Sequence, residues 1–578
     1  MQNDPATTSF GTKALASALF VLTVGMRVFA QAGGQAAGLP PIEDPKNRIT
    51  QLDEVEDYSE DVANTFVEWS DKVRRRDFAA CADLLADDFR GHDLGHVGKE
   101  TEKEFPLSIT KTTWEVQAPV VEKAAFLEAL REFVSPLGTI EFFFVKVRGA
   151  EFGAGQNIEG AITTRINAIG RASGGGRIGR EVHGRAHVMR VDGRWRIDRW
   201  AITAATDVRR PESIFTEVAR GAGIAHRGPQ FGKEGNVSFF WNGAAVSDYD
   251  GDGWFDLFVP SQERNFLYRN RGNGTFEEAA ESAGLAQPPG GTGAVFFDAD
   301  NDGDRDLLVA HPGWNDGDGV VGNSTQFHRN DGKGRFTNAS AEAGFTELLC
   351  GFSPVVADCN NDGWLDVFVC GYQKGGFTGP NSWVDATNGT RNALYVNQGG
   401  GKFVDVAQKV GFPTNRWTYA AAWHDYDDDG DQDLYVANDY GPKELWRNDG
   451  NLEFTEISQA LGVTDVGNGM GCAFADFDSD GDVDLYASNM SSTAGNRILG
   501  RLLGSAGADD KGQMLKKFAA GNTLFAYDGK TFAKVDSKFG GVGAAWAWSP
   551  QFFDIDLDGD LDLACANGFI SGNSLKDT

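Results

Sequence analysis

Six nine-residue stretches set aspartates at alternate positions: DYDGDGWFD from Asp248, DADNDGDRD from Asp298, DCNNDGWLD from Asp358, DYDDDGDQD from Asp425, DFDSDGDVD from Asp476 and DIDLDGDLD from Asp554. Carboxylates this close repel one another unless a cation lies among them. In a tight loop, side chains at positions one, three and five can aim at one point, and the glycine at six permits the sharp turn. The convergent oxygens are those of Asp248, Asp250 and Asp252; Asp298, Asp300 and Asp302; Asp358, Asn360 and Asp362; Asp425, Asp427 and Asp429; Asp476, Asp478 and Asp480; and Asp554, Asp556 and Asp558. Hard oxygens at flexible geometry suit calcium, which takes roughly six to eight of them. Magnesium wants stricter octahedral geometry, and zinc wants histidine or cysteine, absent at these positions. Up to six calcium ions are expected.

The EF-hand, with its dockerin relatives, is the first rival, and it needs flanking helices and a bidentate glutamate at position twelve. Position twelve here is Val259, Val309, Val369, Val436, Ala487 and Cys565, and the flanks read as strands. The nonamers start 50, 60, 67, 51 and 78 residues apart, which also excludes tandem calcium repeats with a period near a dozen. A period of this size marks a repeat architecture. Each nonamer is preceded by a short apolar run and followed by another, such as DLFVPS or DLYVAND. A third run follows (FLYRN, QFHRN, ALYVN, ELWRN, TLFAY), then a turn and a fourth (GTFEEAAESAGL, GRFTNASAEAGF, GKFVDVAQKVGF, LEFTEISQALGV, KTFAKVDSKFGG). Four short strands per unit predict the blades of a β-propeller, which bury their faces against each other.

Upstream the grammar differs. Lys13 and the apolar ALASALFVLTVGM, then RVFAQA, read as a secretory signal peptide over 1–30, with a Gly/Ala/Pro linker over 31–54. Over 55–207, Val62, Phe66, Trp69 and Val73 fall at helical spacing, EKAAFLEALREFV predicts a second helix, and long alternating runs follow with an Asp-Gly hairpin at VDGR. The Gly-rich ASGGGRIG lies between strands and reads as a turn, not a phosphate cradle. Asp88, His92, Asp93 and His96 cluster in DDFRGHDLGH and read as a polar loop after a helix. The formal charge of −30 excludes a nucleic-acid partner; six divalent cations would bring it to −18. Six cysteines at irregular spacing read as buried thiols, and no stretch after the signal could span a bilayer.

The nonamers resemble the calcium loops of FG-GAP and VCBS repeats, as in integrin α-subunit propellers. That resemblance implies ligation at position nine as well, by Asp256, Asp306, Asp366, Asp433, Asp484 and Asp562. It also implies a position-seven carbonyl, from Trp254, Asp304, Trp364, Asp431, Asp482 and Asp560. Asn360 keeps an oxygen but drops a charge, so weaker binding is expected in the third loop. LYRN…GTFEEAAESAGL and AAWHDYDDDGDQDLYVAND further resemble bacterial relatives of cartilage acidic protein, whose complete members end in an ASPIC/UnbV domain. Helices followed by a meander ending in GRWRIDRW resemble the SnoaL-like, nuclear-transport-factor-like α+β cone.

The expected molecule is mainly β: a small cone at 55–207 and an integrin-α-type propeller of six or seven blades over 212–578. It is expected to be exported, secreted or at the periplasmic or cell surface, and to bind an extracellular protein or glycan, with calcium structural. The rivals are a polysaccharide lyase or hydrolase on a propeller face, or a small-molecule isomerase or binder in the cone. His311, His328 and His424 sit at different positions of their units and offer no catalytic constellation. IFTEVARGAGI at 214–224 matches the fourth runs, so Ile214–Ala219 is expected to pair with the last blade, and the repeat stops in mid-unit after Asn567.

Overall fold

The computed structural model describes residues 39–567, apart from 106–107, 156–157, 212–214, 227–242, 262, 316–319, 374–378, 413–414, 491–520, 536–546 and 556. The expected signal peptide, the tail after Asn567, Ile214 and Asp556 lie outside the described residues.

The helix Leu52–Arg74 lies along the strand Leu137–Phe152 of an eight-stranded sheet. Its apolar stripe is fully used: Val62, Phe66, Trp69 and Val73 are all buried. Ser70 fixes the packing, since its buried hydroxyl accepts from the Val145 N–H at 3.0 Å. A second helix, Lys123–Val134, covers the same core with Phe126, Leu130 and Phe133. The strands Leu137–Phe152, Glu159–Ala172, Arg177–Val191 and Arg194–Arg210 form an antiparallel meander. The turn at VDGR has positive φ at both central residues, 49° at Asp192 and 76° at Gly193, as a two-residue hairpin requires. Trp69, Trp200, Phe66 and Phe126 meet at 5.7–5.8 Å and fill the interior.

Among the described residues from Ala245 onward, six sheets are each built around one nonamer, five of them four-stranded and antiparallel and the last two-stranded; two further two-stranded sheets lie outside the nonamer units. We number these units 1 to 6 in chain order. Unit 2 is representative, with strands Gly293–Phe297, Asp306–Ala310, Gln326–Asn330 and Phe336–Asn338. Unit 6 has Ala547–Phe553 and Asp562–Asn567. First strands of successive units lie side by side. Edge-on aromatic pairs join neighbouring sheets: Phe258–Phe296, Phe368–Trp423, Tyr435–Phe474 and Tyr486–Phe552, all at 6.2–6.4 Å. The fourth run proves to be a three-residue strand followed by a single helical turn. Glycine in the left-handed conformation ends that turn in units 1 to 4, as Gly284, Gly344, Gly411 and Gly462.

The arrangement is propeller-like, but among the described residues the expected pairing with the last blade is not found for Phe215–Ala219. Phe215–Val218 belong to no strand, and Phe215 and Val218 are 66% and 61% exposed. Only the helical turn Ala219–Ala222 holds its repeat position, its capping Gly223 lying against the Phe276 carbonyl as Gly284 lies against Phe336. The physical reason is that, among the described residues, no sheet covers unit 1 on that side: Val246 is 63% exposed, whereas the aligned Phe552 and Phe474 pack on the unit before them.

Candidate metal loops

Each loop is held open by its own aspartates. In all six, the position-one carboxylate accepts the N–H groups of positions five and six. For Asp248 these come from Asp252 at 3.0 Å and Gly253 at 2.9 Å; for Asp425, from Asp429 at 3.1 Å and Gly430 at 2.8 Å. The position-five carboxylate accepts from the N–H of position seven, as Asp252 does from Trp254 at 3.1 Å. Two positions need left-handed backbone: the glycine at six, with φ between 86° and 99°, and position four, with φ between 56° and 71°. Position four is accordingly Gly251, Asn301, Asn361, Asp428 and Ser479 in the first five loops, while Leu557 tolerates φ of 59° in the sixth.

The aspartate at nine does more than the resemblance implied. Both its oxygens are engaged by backbone, one by the N–H of position two and one by the last residue of the third strand. Asp433 accepts from Tyr426 at 3.1 Å and Asn448 at 2.8 Å; Asp256, Asp306 and Asp484 repeat the pattern, and Asp366 does so with Cys359 and Asn397. Asp562 keeps the first of these bonds, from Ile555 at 3.1 Å. This residue staples the loop to the sheet. Nothing in the nonamer alone reveals that, because the partner lies one strand away.

Burial pushes the clamped carboxyls up, to about 6 for Asp256 and Asp484 and about 7 for Asp306 and Asp433, with neighbouring carboxylates adding to it and the backbone N–H groups opposing it. Asp304 rises to about 6 through burial and the charges of Asp302 and Asp300. A divalent cation would relieve this strain. The oxygens needed to hold one converge in Asp248, Asp250 and Asp256; in Asp298, Asp300 and Asp302; in Asp425, Asp427 and Asp433; and in Asp476, Asp478 and Asp484, each set within 4.8 Å. In the third loop Asn360 takes part through both amide atoms, accepting from Asp362 N–H and donating to Asp362 Oδ2, 3.0 Å away. In the sixth, Asp554 and Asp558 are placed as in the others. All-oxygen sets of this kind fit calcium.

The third strand sets the charge beside each loop. Arg269 reaches Asp250 at 2.5 Å and Asp252 at 2.9 Å, and Arg329 stands 3.7 Å from Asp300. Val396 and Ala526 hold that place in units 3 and 5. Side chains at position seven turn away from the loop: the rings of Trp254 and Trp364 cover Gly272 and Gly399 of the following hairpin, and Asp304, Asp431 and Asp482 approach Gly332, Gly450 and Gly529.

Other candidates do not assemble into a site. His92 is buried and its Nδ1 accepts from the Ile202 N–H at 3.1 Å, while Asp93 caps Gly95 and His96 on the exposed loop and Asp88 faces solvent. His311 and His328 are buried, which pushes both down to about 4, and His424 packs on Phe474. All six cysteines are free thiols. A cleft of about 600 Å³ in the N-terminal α+β unit is lined by Asp61, Glu68, Lys72, Arg190, Arg194 and Trp195 among others. Among the described residues no helix is long and apolar enough to cross a membrane.

The FG-GAP-like repeat family matches residues 248–309, 383–436 and 425–487. Cartilage acidic protein 1 of Xenopus tropicalis is 24% identical over 266 residues, covering 43% of this chain and 40% of that protein. The Mus musculus protein of the same name is 24% identical over 308 residues, covering 50% and 45%. The chain thus spans less than half the length of these relatives. Among solved structures, an Agrocybe aegerita lectin that recognises non-reducing terminal N-acetylglucosamine is similar over 76% of this chain and 98% of its own, at 14% identity and a TM-score of 0.31. A putative scytalone dehydratase from Novosphingobium aromaticivorans is similar over 28% of this chain and 90% of its own, at 12% identity and a TM-score of 0.20.

Proposed function

Starting from a chain that carries FG-GAP repeats and is related to cartilage acidic protein 1, we propose an extracellular binding scaffold: a β-propeller whose calcium loops are structural and whose opposite face takes a protein or glycan ligand. One contrast carries this reading. The connection from first to second strand, which carries nonamer positions one to eight, is eight residues long in every unit. The connection from second to third strand leaves the other end of the sheets and runs to 6, 15, 21, 4 and 33 residues in units 1 to 5. A constant set of loops serves the fold, and variable loops on a rigid scaffold are where recognition concentrates. The 372–392 connection shows the kind of surface: Trp383 stands 70% exposed, braced edge-on by Tyr440 at 5.4 Å.

The cone domain is a poor candidate for the recognising part, because aromatic side chains occupy its interior. The test is a protein and glycan array probed with the full chain in calcium. Replacing the 372–392 connection by a short turn should abolish a hit that Asp562→Asn leaves in place. A hit that survives the loop exchange but vanishes with the cone removed would put recognition in the cone.

A further inference from the structure

The loops are not independent of one another. Asn301, at position four of the second loop, donates through Nδ2 to the Gly363 carbonyl of the third at 3.0 Å. Asn361, at position four of the third, donates to the Gly430 carbonyl of the fourth at 3.1 Å and to Asp431 Oδ1 at 2.6 Å. A return set of bonds runs the other way. The asparagines that end the third strands, Asn330, Asn397 and Asn448, each donate at 2.8 Å to the position-two carbonyl in the preceding unit, that of Tyr249, Ala299 and Cys359. Among the described residues neither set crosses from the fourth loop to the fifth. Position four of the fourth loop is Asp428, whose carboxylate cannot donate, and the third strand of unit 5 ends in Tyr527, whose ring packs on Tyr426 at 5.7 Å.

We infer that the first four loops take up calcium as a coupled series, with Asn301 and Asn361 as positioning residues for the loop after their own, while the fifth loop binds independently of those four. This rests on the reading of the nonamers as calcium loops. Asn361 lies between Asn360 and Asp362, whose oxygens a cation would draw together, so filling the third loop fixes the backbone that aims the Asn361 amide. That amide brackets Asp431, the residue whose carbonyl is the expected ligand of the fourth loop. Linkage makes the effect reciprocal. One hydrogen bond of ordinary net strength corresponds to about threefold to tenfold in a binding constant.

Asn361→Gly tests the link while sparing the loop's shape, because the first loop already has Gly251 at this position with φ of 71° against 56° for Asn361. The full chain is stripped of metal and titrated calorimetrically with calcium chloride. The variant should keep every site of the parent and show one of them weakened about threefold to tenfold, and Asn361→Asp, which also loses the donor, should weaken the same site. In a background with the fourth loop silenced by Asp427→Asn and Asp429→Asn, Asn361→Gly should change nothing further. Unchanged affinities in both variants, or the same weakening in the silenced background, would overturn the coupling while leaving the calcium reading intact. A parent that takes up no calcium would overturn that reading, and the coupling with it.

Discussion

In the N-terminal α+β unit one aromatic interior, centred on Trp69 and Trp200, joins two helices to one sheet. In the repeats each sheet has a thin apolar layer against its neighbour, and its remaining cohesion comes from carboxylates that accept backbone N–H groups. The first arrangement is indifferent to cations, and the ionisable groups it buries, such as His187 and Asp207, are paired within it. The second concentrates 23 acidic side chains at nonamer positions one, three, five and nine. A core that excludes water is self-sufficient; a loop of carboxylates is stable only as far as something offsets its charge.

Removing calcium should therefore separate the two regions most. Each site filled at a hundredfold excess over its dissociation constant adds about 2.7 kcal/mol to the form that binds. In calorimetric melts, chelator should lower the repeat transition by many degrees and leave the α+β transition in place; a common shift of both would erase the distinction. The pH dependence sharpens it. Asp256, Asp306, Asp433 and Asp484 have folded-state pKa values of about 6 to 7 against an ordinary 3.8. A raised folded pKa means stability that is full below the unfolded value and lost as pH rises through the folded one. Metal-free repeats should melt higher at pH 5 than at pH 8, and calcium should reverse that order because protons and cation compete for the same oxygens.

Trp69→Ala gives the converse. Emptying a buried indole from a filled core costs about 3–5 kcal/mol. The lower transition it produces should belong to the α+β unit, with the calcium stoichiometry of the repeats unchanged. Loss of calcium sites in this variant would show that the two regions fold as one.

Asp433→Ala comes next in size. Its two oxygens hold the Tyr426 and Asn448 N–H groups inside the protein, and each donor left unpaired costs about 1–3 kcal/mol. The loss should persist in chelator, since the clamp is made by the protein alone. An effect seen only with calcium present would mean that position nine acts purely as a ligand.

The sequence carries the repeat, the strand order and the position-one, -three and -five aspartates, because these recur within nine residues at a fixed spacing. It also carries the helix stripe from Val62 to Val73, set by local periodicity. What it hides is non-local. The asparagines ending FLYRN, QFHRN, ALYVN and ELWRN are plain in the repeat, yet their role appears only when Asn330, Asn397 and Asn448 are seen to reach loops of the preceding unit. Likewise, IFTEVARGAGI has the letters of a fourth strand, but strand pairing needs a third strand alongside, and the letters of one run do not show what lies beside it.

The smallest effect concerns that segment. Were Phe215–Val218 a closing strand, deleting 211–226 would strip one ladder from a sheet and release the ring. The structure leaves a weaker attachment: Ala222 is buried, Gly223 lies against the Phe276 carbonyl, and His226 packs on Phe266 at 3.8 Å, while Phe215 and Val218 face solvent. Exposed apolar side chains contribute nothing to stability, so only the burial of one helical turn is at stake, about 1 kcal/mol. The truncated repeats, residues 227–578, should melt within a few degrees of residues 211–578 with the same calcium stoichiometry. A fall as large as that from chelation would mean that the segment closes the ring in solution and that the exposed face of unit 1 is covered there.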